Sequence, residues 1–314
     1  MTGFPSGCLG KLPLHGDFIR YNAASPEVHD FDHWVQEGIY HGYGELDSRW
    51  DATFDAAPRA RFIYIAPKTQ RVIAGLFRPS VDKAGRRYPF MVYSVIEPGA
   101  LGKDLAYLPW ALESFIAKAG EIAGWADSAI NLNTFLSSID QLRFEPDMGE
   151  AKRNFGRFVL GTSAGEVWAR DFGENAQGRV QAAVQSVSEG PDVRSGTSLA
   201  LRLPITDENA EVSFWLELTR RLNKGGKLPT MTLWNEATAG LSSRVHMCFG
   251  DLGPRHFLPF VLPQREDAAL RDLAAIKGDA AASQQGKATF DQVLSNDSLK
   301  LSDLLQRLPR CKGL

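Results

Sequence analysis

The sequence predicts an α+β fold, with antiparallel or mixed sheets packed against helices in two halves and a helical C-terminal tail. Segments with apolar residues at helical spacing are mixed with short runs of β-branched and aromatic residues, and this mixture occurs on both sides of Trp125. Beyond Gln264 the apolar spacing weakens. We therefore predict an N-terminal region over 1–126, a second mixed region over 127–263 and a flexible, partly helical tail over 264–314.

The first half begins with short extended pieces between Gly7 and Phe18, because glycine and proline interrupt regular pairing there. An amphipathic helix follows over Pro26–Tyr40, with Ser25 placed to cap it and Pro26 at its first position. Three later runs are rich in β-branched and aromatic residues and predict antiparallel neighbouring strands, and a helix follows them. These strands are Arg61–Ala66, Arg71–Phe77 and Tyr88–Ile96, and the helix is Ala106–Ala123.

The second half repeats this alternation of helical and extended patterns. The predicted helices are Asn133–Leu142, Asn175–Val187 and Leu299–Leu308. The predicted strands are Phe158–Thr162, Val167–Asp171, Leu199–Leu203, Thr230–Trp234 and Arg244–Phe249. Val212–Leu222 fits either a helix or an extended segment, Ser188–Gly196 is a predicted loop, and Lys277–Lys287 has the composition of a flexible linker.

Composition excludes several classes of protein. The chain of 314 residues is 44% hydrophobic and 23% charged, which is typical of a globular protein and not of a disordered one. Its formal net charge of −2 argues against general binding to nucleic acid. Its apolar runs are far shorter than the roughly twenty residues of a membrane-spanning helix, and the N-terminus has no signal-peptide pattern. Three cysteines without paired spacing favour a reducing compartment, so we expect a cytoplasmic protein.

One segment matches a motif of serine hydrolases. Gly161 to Gly165 has the G-x-S-x-G pattern that exposes a nucleophilic serine on a turn between a strand and a helix. Ser163 would be the nucleophile, and Asp207 and His256 occur in the order that a triad needs. The residues after Gly165 resemble a second strand, so we favour a hairpin turn at this position.

Other motifs of active sites are incomplete. His29 and His33 stand four residues apart in the predicted helix and would face a metal together, with Asp30, Asp32 or His41 as further ligands. Zinc peptidases place a glutamate after the first histidine, and here an aspartate follows, so a solvated helix face is favoured. Gly10 and Lys11 lack the neighbours of a phosphate loop. Asp17 and Asp82 would form an acid and base pair, but aspartate in a turn more often bonds to its own backbone.

Two segments combine residues that fix the backbone with residues that carry charge. We name Gly10–Phe18 the first block and Pro79–Phe90 the second block. Proline fixes φ and glycine permits positive φ, so each block should form one defined turn from which charged side chains project. A rigid polar surface of this kind suits recognition.

These residues resemble the TagF family, also called ImpM, of bacterial type VI secretion. The first block has the G-K-L-P-x-x-G-D-F pattern, and Arg20 follows it closely. The helix has the D-x-W-x-Q-x-G pattern at Asp32, Trp34, Gln36 and Gly38. The second block has the P-S-V-D-x-x-G-R-x-x-P pattern. A weaker likeness continues through Phe214–Leu216 and Leu233–Glu236, where the family more often has two tryptophans and a W-T-E-G pattern.

The resemblance implies a cytoplasmic accessory protein that is not an enzyme and carries no catalytic residue, metal or cofactor. TagF-like proteins restrain type VI secretion after translation, opposite a threonine kinase and phosphatase pathway and through a forkhead-associated scaffold. We expect the same function here, through protein–protein binding. The alternatives are a hydrolase with Ser163 as nucleophile, a metal site at His29 and His33, and a structural component of the secretion machine.

The candidate residues fall into two sets. The predicted partner-binding residues are Lys11, His15, Asp17, Arg20, Asp82, Lys83, Arg86, Arg87 and Tyr88, and we expect His15, Lys83, Arg87 and Tyr88 to be exposed. The predicted structural residues are Gly10, Pro13, Gly16, Trp34, Pro79, Ser80, Gly85 and Pro89. The alternative is that both blocks exist only to shape turns.

Overall fold

One sheet of ten strands contains strands from both halves of the chain and from the predicted tail. The computed structural model describes residues 3–125, 131–174, 176–190, 196–223, 226–266, 270–275 and 293–308. The strand order is β10-β7-β9-β8-β3-β4-β5-β1-β2, and β6 pairs with β1 beside β2. The strands are β1 Phe4–Gly10, β2 Ile19–Tyr21, β3 Ala60–Ile65, β4 Val72–Arg78, β5 Phe90–Ile96, β6 Arg143–Phe144, β7 Ser198–Pro204, β8 Met231–Asn235, β9 Arg244–Gly250 and β10 Leu270–Asp272.

The pairing confirms the predicted antiparallel arrangement of β3, β4 and β5. β3 also pairs antiparallel with β8, where Phe62 lies opposite Leu233, so the sheet is continuous across the two predicted regions. β10 is parallel to β7, and it lies in the tail, where the sequence predicted no strand. The region boundaries at 126 and 263 stay predictions.

Helices cover both faces of the sheet, which explains why its strands read as continuous apolar runs. In β4, Val72 and Leu76 belong to the core on one face, and Ile73 and Phe77 belong to the core on the other. The second of these faces is covered by α1 Pro26–Leu46, α2 Trp50–Asp55 and α10 Leu258–Val261. The first face is covered by α3 Leu108–Ala111, α4 Glu113–Trp125, α5 Leu132–Gln141, α6 Met148–Gly161, α7 Ala164–Phe172, α8 Gln177–Glu189, α9 Glu208–Leu222 and α11 Leu301–Arg307.

Several predicted elements agree with the structure. α1 begins at Pro26 as predicted, although no side chain caps it, and it continues to Leu46. Val212–Leu222, whose pattern fits either a helix or an extended segment, lies in α9. This helix is buried on nearly all sides, so its sequence shows no amphipathic pattern. The single helix predicted over Ala106–Ala123 is instead a 3-10 turn, Gly102–Tyr107, followed by α3 and α4. Within the described residues, no helix has the length and apolarity that a membrane crossing requires.

The two strands predicted at Phe158–Thr162 and Val167–Asp171 are wrong. Phe158–Gly161 lies in α6, which Thr162 follows directly, and Val167–Asp171 lies in α7. Phe155 and Val159 are buried on one face of α6, and Val167 and Trp168 are buried in α7. Short apolar runs do not distinguish helix from strand, and the polar residues between these apolar positions follow the helical period. The predicted linker Lys277–Lys287 and residue Asn175 lie outside the described residues.

Candidate functional site

The two blocks lie side by side at one end of the sheet. The second block is a turn between β4 and β5, closed by hydrogen bonds from the Asp82 N–H to the Arg86 carbonyl at 3.0 Å and from the Tyr88 N–H to the Ser80 carbonyl at 3.0 Å. The first block lies between β1 and β2. The Lys83 N–H donates to the carbonyl of His15 at 3.0 Å, which joins the two blocks directly.

A buried carboxylate organises this junction. The side chain of Asp82 is inaccessible to solvent, and its Oδ2 lies 3.2 Å from Lys11 Nζ of the first block and 2.6 Å from Arg86 Nε. Its Oδ1 accepts the backbone N–H groups of Ala84 and Arg86, both at 2.9 Å. Burial opposes ionisation of Asp82, but the backbone and side-chain donors of Arg86 and the Lys11 ammonium outweigh it and lower the pKa to about 2. Asp82 therefore remains charged at neutral pH and fixes both turns.

The backbone at Gly10 allows the blocks to approach each other. Gly10 has a φ of 126°, and a Cβ built on it would lie 2.1 Å from the carbonyl oxygen of Pro89. Only glycine fits this conformation and this contact. Gly85 has a φ of 79° but faces open space, so glycine is favoured at this position only by the backbone conformation. The other predicted structural residues are half-buried at Pro13, Gly16 and Pro79 and buried at Ser80, Trp34 and Pro89.

A second buried carboxylate joins the blocks to α1. Asp32 accepts hydrogen bonds from the Tyr88 hydroxyl, from Gln36 Nε2 at 2.9 Å and from Arg20 Nη2 at 3.2 Å. Trp34 on the same helix donates through Nε1 to the Gly253 carbonyl at 3.1 Å. Burial raises the pKa of Tyr88, and the neighbouring Asp32 charge raises it further. The expected exposure of Tyr88 is wrong, because its ring packs edge-on against Phe18 and its hydroxyl bonds to Asp32 of α1, which leaves the side chain buried.

Arg87 is also less available than the sequence indicated. Its guanidinium donates to Asp55 of α2 at 2.9 Å and 2.6 Å, and it lies 3.0 Å from Asp51. Its side chain is 23% exposed, so it ties the second block to α2 more than it projects into solvent. The sequence offered one signal for this contact, which is the pair of carboxylates spaced four residues apart beside Trp50.

The remaining polar side chains form an exposed surface. We use the name polar corner for the exposed side chains of Asp17, Arg20, Lys83 and Arg86 together with the half-buried side chain of His15. The guanidinium of Arg20 lies 4.2 Å from the centre of the Phe18 ring, a favourable cation–π contact. Arg86 also donates to the Gly16 carbonyl and lies 4.0 Å from Asp17. The polar corner thus carries three cationic side chains and one carboxylate on a rigid support.

The three residues of the candidate triad are engaged separately. Ser163 caps α7, where its Oγ donates to Glu166 at 2.8 Å and accepts the Glu166 N–H at 3.3 Å. Asp207 caps α9 through the Ala210 N–H at 3.2 Å. His256 accepts the Gly253 N–H through Nδ1 at 2.8 Å. The G-x-S-x-G segment joins two helices, so neither the strand–turn–helix geometry of a nucleophile elbow nor the predicted hairpin turn is present.

The candidate metal ligands do not converge. His29 and His33 are both exposed on α1, Asp30 pairs with Lys68 at 3.1 Å, and Asp32 faces Tyr88 on the opposite side. In the described part of the chain, no group of three or more histidine, cysteine or acidic residues is arranged to hold a metal ion. Asp17 is exposed and Asp82 is buried, and the low pKa of Asp82 makes it a poor proton carrier near neutral pH.

Comparison with known proteins agrees with the motif pattern. Residues 7–142, which include both blocks, match the family model of the TagF N-terminal domain, described as type VI secretion system-associated. The crystal structure of PA0076 from Pseudomonas aeruginosa PAO1 is similar to this chain in fold, with a TM-score of 0.52 and 17% sequence identity over 83% of this chain and 96% of that one. No curated protein matches the sequence significantly. Residues 7–142 are therefore similar to the TagF N-terminal domain of proteins associated with type VI secretion systems.

Proposed function

We propose that this protein is a cytoplasmic, non-enzymatic accessory protein that represses type VI secretion after translation by binding another protein through the polar corner. The observation that carries the proposal is the buried Asp82 carboxylate, which fixes both turns and leaves charged side chains on their outer side. A preorganised surface loses little conformational entropy when it binds, so a few charged contacts suffice for specific recognition.

The charge of the polar corner favours an acidic partner surface. Arg20, Lys83 and Arg86 outnumber the single carboxylate of Asp17, and the exposed Lys83 side chain forms no ion pair with any described residue. Arginine is enriched among residues that dominate binding energy. The resemblance to TagF proteins favours the forkhead-associated scaffold of the secretion system as this partner, under control of the kinase and phosphatase pathway.

The non-enzymatic part of the proposal is supported by the engagement of the candidate catalytic groups. Ser163 and Asp207 serve as helix caps, and His33 lies exposed on α1. A hydrolase or a metal enzyme would need these groups to converge on one cavity.

The test reverses the charge of Lys83, whose exposed side chain forms no ion pair within the described part of the chain. In cells that lack the native protein, Lys83→Glu should release secretion of a type VI substrate, while Lys118→Glu, on the exposed side of α4, should restore repression. Both purified variants should keep the circular dichroism spectrum of the native chain. Full repression by Lys83→Glu together with Arg20→Glu would place the binding surface elsewhere.

Deletion of the gene distinguishes a repressor from a structural component. A repressor predicts that secretion rises on deletion, because restraint is removed. A component of the secretion machine predicts that secretion stops. Affinity purification of the native chain should recover the forkhead-associated scaffold, and Lys83→Glu should reduce that recovery. Recovery that is equal for both chains would contradict the proposed contact.

A further inference from the structure

A cavity of about 700 Å³ lies far from the polar corner, between the two halves of the chain. One wall comes from the ends of β3, β4 and β5 and the turn that follows β5. The other wall comes from the C-terminal end of α9, from Asn223 and from Gly226, Lys227 and Leu228. Its volume is in the range of small-molecule sites, and such sites often lie where two regions meet. Its apolar lining includes Ile65, Ile96 and Leu228.

The charged lining of the cavity is predominantly positive. Arg220 and Arg221 both bind the carboxylate of Glu217, at 2.7 Å and 2.6 Å, so one positive charge remains on this group of three. Glu97 is the acidic residue that lines the cavity, and Arg71 pairs with it at 3.0 Å.

Two further lysines line the cavity without a matching carboxylate. Lys103 and Lys227 are exposed and form no ion pair with any described residue. A concave positive surface on a chain whose formal net charge is −2 indicates a site for an anion.

A buried polar atom in the lining also has no partner among the described residues. Asn223 is 4% exposed, and its Oδ1 is buried and forms no hydrogen bond within the described part of the chain. A hydrogen-bond donor from a ligand would satisfy this acceptor. The cavity thus combines an apolar wall, two lysines that form no ion pair with described residues and one buried acceptor.

We propose that this cavity binds a small soluble phosphate monoester that carries an apolar group and a hydroxyl. The phosphate contacts Lys103 and Lys227, since two ammonium groups match the charge of a phosphate dianion. The apolar group lies against Ile65 and Ile96, and the hydroxyl donates to Asn223. This proposal does not depend on the function of the polar corner.

Isothermal titration calorimetry of the full chain with phenyl phosphate tests the site. Phenyl phosphate supplies two of the three proposed contacts, the phosphate and the apolar group, and should bind with saturation. Phenol and inorganic phosphate should each bind at least about tenfold more weakly, because phenol lacks the phosphate and inorganic phosphate lacks the apolar group. No saturable binding of phenyl phosphate, or equal affinity for phenol, would overturn the site. Equal affinity for inorganic phosphate would overturn the assignment of an apolar group.

Variants locate the binding. Lys103→Ala and Lys227→Ala should each weaken phenyl phosphate binding about tenfold, and Lys118→Ala should leave it unchanged. These lysines are exposed, so the variants should fold like the native chain. An unchanged affinity in the double variant Lys103→Ala, Lys227→Ala would overturn the proposal.

Vesicles distinguish a soluble ligand from a lipid headgroup with the same phosphate. The native chain should not sediment with phosphatidic acid vesicles, because the proposed ligand is a soluble molecule that lies in a concave site. Sedimentation of the native chain that is lost in Lys103→Ala would show that the cavity binds a lipid headgroup and would overturn the proposal of a soluble ligand. Lys83→Glu should bind phenyl phosphate like the native chain. The proposal for the polar corner and the proposal for this cavity can therefore be contradicted independently of each other.

Discussion

Asp82 binds Arg86 through both of its carboxylate oxygens, one accepting the backbone N–H at 2.9 Å and the other accepting Nε–H at 2.6 Å. The side chain of Asp82 is fully buried, whereas that of Arg86 is 57% exposed. The same guanidinium therefore closes the turn on its inner side and remains available to solvent on its outer side. Because Lys11 binds the same carboxylate, Asp82 determines the geometry of both blocks.

We expect Asp82→Asn to destabilise the protein by about 2–3 kcal/mol, because the amide removes the charge that pairs with Lys11 and Arg86. Urea unfolding measures this loss. Asp17→Asn is the matched control, and since Asp17 is exposed its effect should stay within about 0.5 kcal/mol. Equal effects of the two substitutions would contradict the structural role of Asp82.

The stabilisation from Asp82 should depend on pH. Its pKa is lowered in the folded protein from 3.8 to about 2, so the folded state favours the charged carboxylate. This stabilisation is fully present above the unfolded pKa and is lost as the pH falls through the folded pKa. The difference in unfolding free energy between the native chain and Asp82→Asn should therefore be constant above pH 4 and shrink towards pH 2. A difference that is independent of pH would argue against this ionisation.

Gly10→Ala should destabilise the protein by about 3 kcal/mol or more, because the new Cβ meets the Pro89 carbonyl and the positive φ is strained. Thermal unfolding provides the measurement. The two blocks contain graded controls. Gly85→Ala adds only the conformational cost of about 1–2 kcal/mol, and Gly16→Ala meets no atom and has no positive φ, so it should be nearly neutral. Any other order of destabilisation among the three variants would show that the close approach of the two blocks at Gly10 does not determine the loss of stability.

His246 on β9 should make the protein less stable as the pH falls. Its pKa is lowered to about 3, chiefly by burial and in addition by the charges of Arg202, directly opposite it on β7, and of Arg244. A lowered pKa means that the unfolded chain binds the proton first, so stability is lost between about pH 6.5 and pH 3, by up to ~1.4 kcal/mol per pH unit.

His246→Met keeps the side-chain size and removes the titration, which isolates this effect. Urea unfolding of the native chain and of the variant from pH 7.5 to pH 4.5 should show the native chain losing stability faster. Parallel curves would mean that His246 does not stay neutral in the folded protein.

Ser163→Ala should cost about 1 kcal/mol of stability, since it removes the cap of α7 and its reciprocal bond to Glu166. Control of secretion should remain intact in cells that carry this variant. Thr162→Ala is the control, because Thr162 lies next to Ser163 and its side chain does not cap α7. Loss of an enzymatic activity in Ser163→Ala, with stability unchanged, would favour the hydrolase alternative.

The sequence predicted α1 and the three strands β3 to β5 well, because strong periodicity and clear turn residues bound them. It failed at α6 and α7, where the apolar runs Phe158–Leu160 and Val167–Ala169, of three residues each, fit both periods. It also missed β10, which is three residues long and exists through its pairing with β7. Pairing between distant segments leaves no local pattern in the sequence.

The candidate site, like the fold, was predicted from the sequence only in part. The turn of each block and the charged side chains that project from it followed from glycine, proline and charged residues in the sequence. The burial of Tyr88 did not, since it depends on Asp32 of α1 lying beneath its hydroxyl. Which side of a turn faces solvent is decided by the elements packed against it, and those come from elsewhere in the chain.

The seam between β3 and β8 has a practical consequence for handling this protein. A fragment that stops at residue 142 would lack β8 and leave the whole outer edge of β3 open, beside the apolar side chain of Phe62. Open edges of this kind recruit strands from other molecules, so such a fragment should aggregate on expression. The end of the recognisable domain is thus no safe place to cut the gene, and binding studies need both halves in one polypeptide.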